Sequence, residues 1–151
     1  MKQIDMSQFD SRQQEQVKLG LEGDIDVSIY ARPEFDWRQM YYIRSGLVQK
    51  IDVSWYAKPE FDSEQMEQIK LGLEKIFESS KTVDVSWYAK SEFDWRQMSQ
   101  VRLGLLGGLD VSWYAKPEFK RDQMEQIRLG LEKMIDVSSY ANPELDYEQM
   151  R

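Results

Sequence analysis

Residues 52–62 read DVSWYAKPEFD, and close variants of this phrase recur at 26–36, 84–94, 110–120 and 136–146. In that order the variants are DVSIYARPEFD, DVSWYAKSEFD, DVSWYAKPEFK and DVSSYANPELD. A second phrase, LGLE or a near relative, follows at a regular distance, for example at residues 71–74. Two phrases repeated at a constant spacing are typical of tandem-repeat proteins, in which each short unit packs on its neighbours.

The spacing of one aromatic position defines the repeat. The residues at this position are separated by steps of 26, 26, 32, 26 and 26, namely Phe9, Phe35, Phe61, Phe93, Phe119 and Leu145. The long step comes from six additional residues within 75–84. The 151 residues are therefore predicted to form a single array made of partial repeat 1–25, repeats 26–51, 52–83 (with the insertion), 84–109 and 110–135, and partial repeat 136–151.

Each unit reads as a short helix followed by a longer one, and the start of the longer helix is clearest in the second copy. Asp36 is a preferred N-cap residue, and Gln39 three residues later completes a capping box. Phe35 and Met40 occupy the two positions of a hydrophobic staple. Apolar residues continue at helical spacing, so the helix is predicted to run to about residue 48.

The shorter helix precedes each cap. Residues 26–31 can form one and a half turns, with Asp26 or Ser28 as the cap. Pro33 is expected to end the segment, because proline disfavours helical geometry at the residue before it. Ser91 replaces this proline in the fourth copy, where packing must end the segment instead.

Two copies depart from the pattern of the longer helix. Lys120 replaces the cap aspartate in the fifth copy, which should weaken that helix start by ~1 kcal/mol. In the third copy Ile76 and Phe77 continue the apolar pattern, so a longer helix is expected there, followed by a turn at 78–80.

A glycine holds one position in every complete copy, at Gly20, Gly46, Gly72, Gly104 and Gly130. Glycine inside a helix costs up to ~1 kcal/mol relative to alanine, so its repetition needs a structural reason. Close approach of a neighbouring helix is favoured over a left-handed C-cap that would end the helix at the glycine.

Comparison of the copies separates repeated from variable positions. On a helical wheel the repeated side chains share one face, namely Gln39, Met40, Ile43, Gly46 and Leu47. The variable ones share the opposite face, namely Trp37, Arg38, Tyr41, Tyr42 and Val48. The repeated face is predicted to be the core, and the fold class is all-α, a tandem two-helix repeat of the α-solenoid type.

The phrase D-V-S-x-Y-A-x-P-E-F-D-x-x-Q-M-x-x-I-R-x-G-L-E covers nearly the whole chain. It resembles a short tandem repeat of largely uncharacterised proteins from clostridial bacteria, their mobile elements and phages. This resemblance implies an α-helical array. It implies no activity and no functional residue.

Composition narrows the classes of function. The chain has no His and no Cys, which removes the commonest general base, the commonest metal ligand and every thiolate site. An enzyme is therefore disfavoured, and no cofactor or metal site is predicted. The net charge of −7 argues against direct nucleic-acid binding. No apolar run is long enough for a membrane span and the N-terminus has no signal-peptide core, so a soluble protein of the cytoplasm is expected.

The repeated polar residues have structural explanations. Each repeated aspartate coincides with a predicted helix start, where a cap is expected rather than a metal site. The repeated serine, for example Ser54, has no histidine partner, so a cap or turn bond is expected rather than a nucleophile. The repeated basic residue, for example Arg44, is predicted to pair with acidic neighbours on the solvated side.

The variable aromatic residues are the candidate site. They stand where other copies have Ser, Glu, Gln, Arg or Ile, so packing does not demand them, and they are Trp37, Tyr41, Tyr42, Trp55, Trp87, Trp95 and Trp113. Exposed Trp and Tyr are common binding anchors, although the indoles at Trp55, Trp87 and Trp113 could instead cover lysine stems or pack between repeats. The predicted function is binding of another protein. The alternative is an acidic inhibitor that occupies the basic groove of a nucleic-acid-binding host defence enzyme, as a phage or mobile-element protein would.

Overall fold

The computed structural model describes residues 4–74 and 83–150. By its internal contacts the chain divides into two compact units, Met1–Glu74 and Lys75–Arg151, where the sequence predicts one array over 1–151. The division falls at the six-residue insertion. All regular structure in the described ranges is helical, and no strand occurs within them, which confirms the predicted all-α class.

Each long helix follows a 3₁₀ turn of three residues. The first unit contains α1 (Ser11–Glu22), α2 (Trp37–Val48) and α3 (Ser63–Leu73), with turns at Met6–Gln8, Val27–Ile29 and Val53–Trp55. The second unit contains α4 (Trp95–Leu106) and α5 (Arg121–Glu132), with turns at Val85–Trp87 and Val111–Trp113. Helix α2 packs against α1 and α3, and α4 packs against α5. Successive packing of equivalent helices is the arrangement of an α-solenoid.

The long helices begin as predicted. Asp36 Oδ1 accepts the N–H of Gln39 at 2.8 Å, and the side-chain oxygen of Gln39 accepts the N–H of Asp36 at 2.8 Å. The same reciprocal pair closes the starts of α1, α3 and α4. A lysine side chain has no acceptor, so α5 keeps only the bond from the Lys120 N–H to Gln123, at 2.7 Å.

The short segment is a single 3₁₀ turn, so the predicted one and a half turns of helix were wrong. Asp26 caps it by accepting the N–H of Ser28 at 3.2 Å, and Tyr30 then leaves the helical region with φ −127°. The turn Val85–Trp87 ends at the same position although Ser91 stands where other copies have proline. Proline is therefore not needed to end the turn. The common feature is the tyrosine, whose side chain is anchored to the preceding helix in the copies described below.

The longer helix predicted for the third copy was also wrong. Helix α3 ends at Leu73, because Glu74 adopts an extended conformation with φ −70° and ψ 139°. Ile76, Phe77 and the predicted turn at 78–80 lie outside the described residues.

The repeated face of the long helices forms the core, as the helical wheel predicts. The buried side of α2 consists of Gln39, Met40, Ile43 and Gly46. Leu47 is half-buried, so the buried stripe is narrower than predicted. Tyr30 and Phe35, from the segment ahead of α2, are fully buried with them. Removal of one such aliphatic or aromatic side chain from water stabilises the fold by about 1.5–3 kcal/mol.

Within the two units, two kinds of side-chain hydrogen bond tie neighbouring repeats together. Nε2 of Gln39 donates to the carbonyl of Phe61, 22 residues further on, at 2.7 Å. In the opposite direction the O–H of Tyr56 donates to the carbonyl of Tyr42 in the preceding helix, at 2.7 Å. Equivalent bonds join Gln13 to Phe35, Gln97 to Phe119, Tyr30 to Gln16 and Tyr114 to Gln100.

The repeated glycine makes room for this tyrosine, which confirms close approach as the reason for glycine. A Cβ on Gly46 would overlap the Tyr56 hydroxyl and lie 2.7 Å from Val53 Cγ1. Gly20, Gly104 and Gly130 face the equivalent tyrosine and valine. The approaching element is thus the 3₁₀ turn of the next repeat and the tyrosine after it, rather than a long helix.

The left-handed residue that ends the helix lies four positions beyond the glycine. Lys50 has φ 60°, its N–H donates to Leu47 at 3.1 Å, and the Ile51 N–H donates to Gly46 at 2.9 Å. This pair of bonds is a Schellman motif. The equivalent left-handed residues in other copies are Asp24, Gly108 and Met134. Three copies therefore place a residue with a Cβ in a conformation that favours glycine.

The contact between glycine and tyrosine predicts non-additive losses of stability. Gly46→Ala is expected to cost about 1–3 kcal/mol, because overpacking outweighs the gain in helix propensity. Tyr56→Phe is expected to cost about 1 kcal/mol through the lost hydrogen bond. The double variant should lose less than the sum, since the phenyl ring carries no hydroxyl to clash. Urea unfolding of the set measures the coupling, and strictly additive losses would contradict the contact.

The left-handed position predicts a stabilising exchange. Lys50→Gly is expected to raise the free energy of unfolding by about 0.5–1 kcal/mol, because glycine adopts this conformation without steric strain. The chain supplies the reverse control, since Gly108→Lys should lower it by a similar amount. Both changes are measured by urea unfolding. Stabilisation by Gly108→Lys would contradict the assignment of strain to this position.

The buried tyrosines predict a loss of stability at high pH. Burial raises the pKa of Tyr30 to about 12, and it also raises the pKa of Tyr56, Tyr88 and Tyr114 above the ordinary 10.0. The unfolded chain ionises first, so this contribution to stability is complete below pH ~10 and is lost as the pH rises through the folded values. Phenolate absorbance from these side chains should therefore appear together with the loss of the helical circular dichroism. Their ionisation in a still helical protein would refute the prediction.

Candidate binding surface

The variable aromatic residues lie on two kinds of element. Trp37, Tyr41, Tyr42 and Trp95 lie in the first two turns of α2 and α4, and the three other tryptophans lie on 3₁₀ turns. Tyr41 is 43% exposed, whereas Trp37, Tyr42 and Trp95 are half-buried. The tryptophans on the turns are 38–39% exposed, and they are Trp55, Trp87 and Trp113. Indoles this accessible stand at the surface, in contact with both protein and solvent.

Separate grooves accompany the two kinds of element. A groove of about 430 Å³ lies between the starts of α2 and α3, lined by Trp37, Arg38, Tyr41, Tyr42, Ser63, Glu64 and Glu67. We call it the Trp37 groove. A second groove in the first unit, of about 550 Å³, lies between two 3₁₀ turns and is lined by Ser28, Ile29, Arg32, Leu47, Ile51, Asp52, Val53, Ser54, Ala57 and Lys58. Trp37, Tyr41 and Tyr42 come together in the first groove, whereas none of the tryptophans on the turns lines either groove.

Trp37 stands between two arginines. The guanidinium of Arg12, from α1, lies 5.4 Å from the centre of the indole, and that of Arg38 lies 5.3 Å from it. Both distances are within the range of cation–π interaction. Sequence reasoning missed Arg12, although it occupies the position of Arg38 one repeat earlier and the period could have identified it.

Tyr42 connects the surface to the next repeat. Its O–H donates to Glu67 of α3 at 2.8 Å, and its ring meets that of Tyr41 edge to face with centres 5.2 Å apart. Burial, with the hydrogen bond to Glu67 as a second cause, raises the pKa of Tyr42 to about 12. The phenol therefore stays a neutral donor at physiological pH. Tyr42 fixes one wall of the Trp37 groove while Tyr41 remains accessible.

The second unit contains a smaller version of this arrangement. Arg96 lies 5.2 Å from the centre of the Trp95 indole. The groove beside it measures about 190 Å³ and is lined by Trp95, Arg96, Ser99, Gln100 and Arg121. Ser99 stands at the position of Tyr41, and Gln100 at that of Tyr42, so this groove has one aromatic residue where the first has three.

The repeated basic residue has a partner that the sequence did not predict. Nε of Arg44 donates to the side-chain oxygen of Gln16 in the preceding helix, at 2.9 Å, and Arg128 makes the same bond to Gln100 at 2.8 Å. The guanidinium of Arg44 also lies 5.7 Å from the centre of the Tyr41 ring. Acidic neighbours four residues on do pair with two of these bases, in Lys70 with Glu74 and Arg128 with Glu132. The predicted acidic partner is thus confirmed for Lys70 and Arg128 and wrong for Arg44. The predicted position on the solvated side is wrong for Lys70 and Arg128, whose side chains are largely buried.

The repeated carboxylates act as caps, as predicted. Asp52 accepts both the N–H and the hydroxyl of Ser54, and equivalent pairs occur at Asp26, Asp84 and Asp110. Each of these serine hydroxyls donates to the carboxylate that caps the turn, and the sequence contains no histidine to act as its base. Within residues 4–74 and 83–150, no three side chains of metal-binding type cluster together.

The described helices are all too short or too polar to cross a membrane. Protein-family models, curated proteins and solved structures provide no match to this chain. The resemblance to clostridial repeats therefore stays a prediction that rests on the repeated phrase alone.

Proposed function

We propose that this chain is a non-enzymatic protein-binding module of helical repeats, which binds its partner through the variable aromatic face. The proposal rests chiefly on the Trp37 groove. Aromatic and arginine side chains, the residue types that most often dominate protein interfaces, line a concave surface there. The residues that pack the repeats together lie on the opposite side of the same helices.

Comparison of α2 with α3 supports a role other than packing for Trp37. Ser63 occupies the position of Trp37 in α3. Helix α3 nevertheless has the same capping box and buries Met66 and Ile69 as completely as α2 buries its equivalents. A large aromatic residue is therefore not required for this helix to fold and pack. Its presence in α2 is better explained by contact with another molecule.

The commonest catalytic groups are absent from this chain. With no His and no Cys in the sequence, general base catalysis would fall to carboxylates, and the repeated aspartates are engaged in caps. Near-identical copies would also imply several near-identical active sites. The absence of Cys fits a reducing compartment, so we place the module in the cytoplasm.

A second candidate is the acidic inhibitor of a nucleic-acid-binding enzyme. The net charge of −7 favours it, and so do exposed glutamates at a repeated position, namely Glu34, Glu60, Glu92, Glu118 and Glu144. The two candidates differ in their dependence on salt. An acidic mimic binds through many charge pairs and should lose affinity steeply as ionic strength rises, whereas binding through aromatic anchors should change little.

The proposal predicts that the aromatic anchors of the long helices can be removed without loss of fold. Trp37→Ser/Trp95→Ser should change the free energy of unfolding by no more than about 1 kcal/mol, since both side chains are only half-buried. The partner, captured from the native host and identified by mass spectrometry, should bind this variant at least about tenfold more weakly in calorimetry.

A matched control separates the two sets of tryptophans. Trp55→Ser/Trp113→Ser removes two tryptophans from the 3₁₀ turns instead. Serine is the natural residue at this position in the last copy, at Ser139. Retained affinity in this control places the site on the long helices. Unchanged affinity of the Trp37→Ser/Trp95→Ser variant would contradict the proposed site. A steep loss of affinity with rising salt in the unmodified protein would favour the acidic inhibitor.

A further inference from the structure

The two arginines beside Trp37 are free to meet a ligand. Arg12 and Arg38 are both exposed, and neither lies in an ion pair within the described residues. The chain has 27 acidic residues, and other cations do find acidic partners, namely Arg32, Lys70, Arg121 and Arg128. At Trp37, by contrast, two guanidinium groups lie over one indole ring.

The indole holds these guanidinium groups in place. Stacking on a ring limits the conformations of a long side chain, so an ordered arginine loses less entropy when it binds a carboxylate. A guanidinium forms two parallel hydrogen bonds with a carboxylate, and such charge-assisted pairs are stronger than neutral ones. Arg12 and Arg38 are thus ordered so that each can donate hydrogen bonds to a carboxylate of a ligand.

The Trp37 groove beside them offers apolar contact. Ser63 is small, so the space in front of Trp37 and the exposed Tyr41 ring is not filled by α3. The volume of about 430 Å³ can receive one or two apolar side chains. Charge and shape together describe a ligand with an acidic group next to an apolar one.

We propose that Arg12, Trp37 and Arg38, with the adjoining Trp37 groove, bind an acidic segment of a protein partner. The carboxylates of the segment pair with the two guanidinium groups, and a neighbouring apolar side chain enters the groove against Trp37 and Tyr41. This inference names the partner class of the surface proposed above, and it rests on that proposed function.

Nucleic acid fits the same surface less well. Glu64 and Glu67 form the far wall of the groove, and the chain as a whole carries a charge of −7. A phosphate backbone carries a charge at every nucleotide, so it would meet these carboxylates along its length. A peptide can confine its acidic residues to the side of Arg12 and Arg38. A basic peptide is disfavoured for the opposite reason, because the arginines occupy the positions over the indole.

Arginine stands at the position of Arg38 in both helices that begin with tryptophan and also in α1, where Arg12 follows Ser11. Trp37 precedes Arg38 and Trp95 precedes Arg96, whereas Ser63 precedes Glu64. In α5 the residue after Arg121 is Asp122, again an acid where no tryptophan is present. The helices with tryptophan thus carry a cation at a position that is acidic in α3 and α5.

A peptide selection on the full chain tests the inference. A random peptide library displayed on phage is selected against the immobilised protein, and the enriched peptides are synthesised and measured by fluorescence anisotropy. We expect enrichment of Asp and Glu beside aromatic or aliphatic residues. Arg12→Glu/Arg38→Glu should weaken the best peptide by about tenfold or more, as expected when charge-assisted contacts are lost from an interface.

A charge-matched control accompanies this variant. Lys18→Glu/Lys133→Glu makes the same change in net charge at two exposed residues that do not line the Trp37 groove, and it should leave affinity within about twofold. Circular dichroism checks that each variant stays helical. If the Arg12→Glu/Arg38→Glu protein unfolds, Arg12→Lys/Arg38→Lys replaces it, and weaker binding is still expected because lysine cannot form the bidentate pair.

The outcomes separate this inference from the proposed function. Selection could enrich peptides without acidic residues whose affinity falls in the Trp37→Ser variant. That result would overturn the inference of an acidic partner and would still support the proposed protein binding. Acidic peptides that bind the charge-reversed and unmodified proteins equally would do the same. If no peptide is enriched, with or without binding of oligothymidine, both the acidic partner and the proposed protein binding are overturned.

Discussion

The hydrogen bond from the repeated tyrosine to the preceding helix is the contact on which the rest of the fold depends. Tyr56 reaches the carbonyl of Tyr42 only because Gly46 leaves its path open. The same contact places Val53 and its 3₁₀ turn against α2, and so sets the distance between this turn and the helix. Glycine inside a helix and a turn of only three residues, each unfavourable alone, are both explained by this one bond.

This constraint divides each long helix into two parts with different freedom. Residues near the middle of α2, such as Met40, Ile43 and Gly46, face the neighbouring layers and recur in the other copies with little change. Side chains on the other face of its first turns, including Trp37 and Tyr41, are half-buried or exposed, and Trp37 meets the preceding repeat through the long side chain of Arg12. Variation can therefore accumulate there at little cost in stability, which is the usual way in which repeat proteins acquire binding surfaces.

Local chemistry made much of the fold predictable. Asp36 and Gln39 identify a helix start by themselves, and the packing role of Gly46 could be inferred from its recurrence. Contacts between distant residues could not be inferred in this way. The bond between Arg44 and Gln16 joins residues 28 positions apart, and Tyr30, directly after its turn, bonds the carbonyl of Gln16 in the preceding helix. The candidate aromatic residues were identified from sequence. The grouping of Trp37, Tyr41 and Tyr42 in one groove depends on how α2 and α3 pack, and the pairing of Trp37 with Arg12 depends on how α1 and α2 pack.

The amide of Gln39 serves two repeats at once. Its oxygen completes the capping box of α2, and its nitrogen donates a hydrogen bond to the carbonyl of Phe61 in the following repeat. The start of one helix is thus completed by the arrival of the next turn, so the two should order together rather than in sequence. For the gene, this means that a duplication of a 26-residue window outside the insertion copies a donor and an acceptor in matching register, wherever its breakpoints fall. An array of this kind can lengthen by unequal recombination without first evolving a new interface.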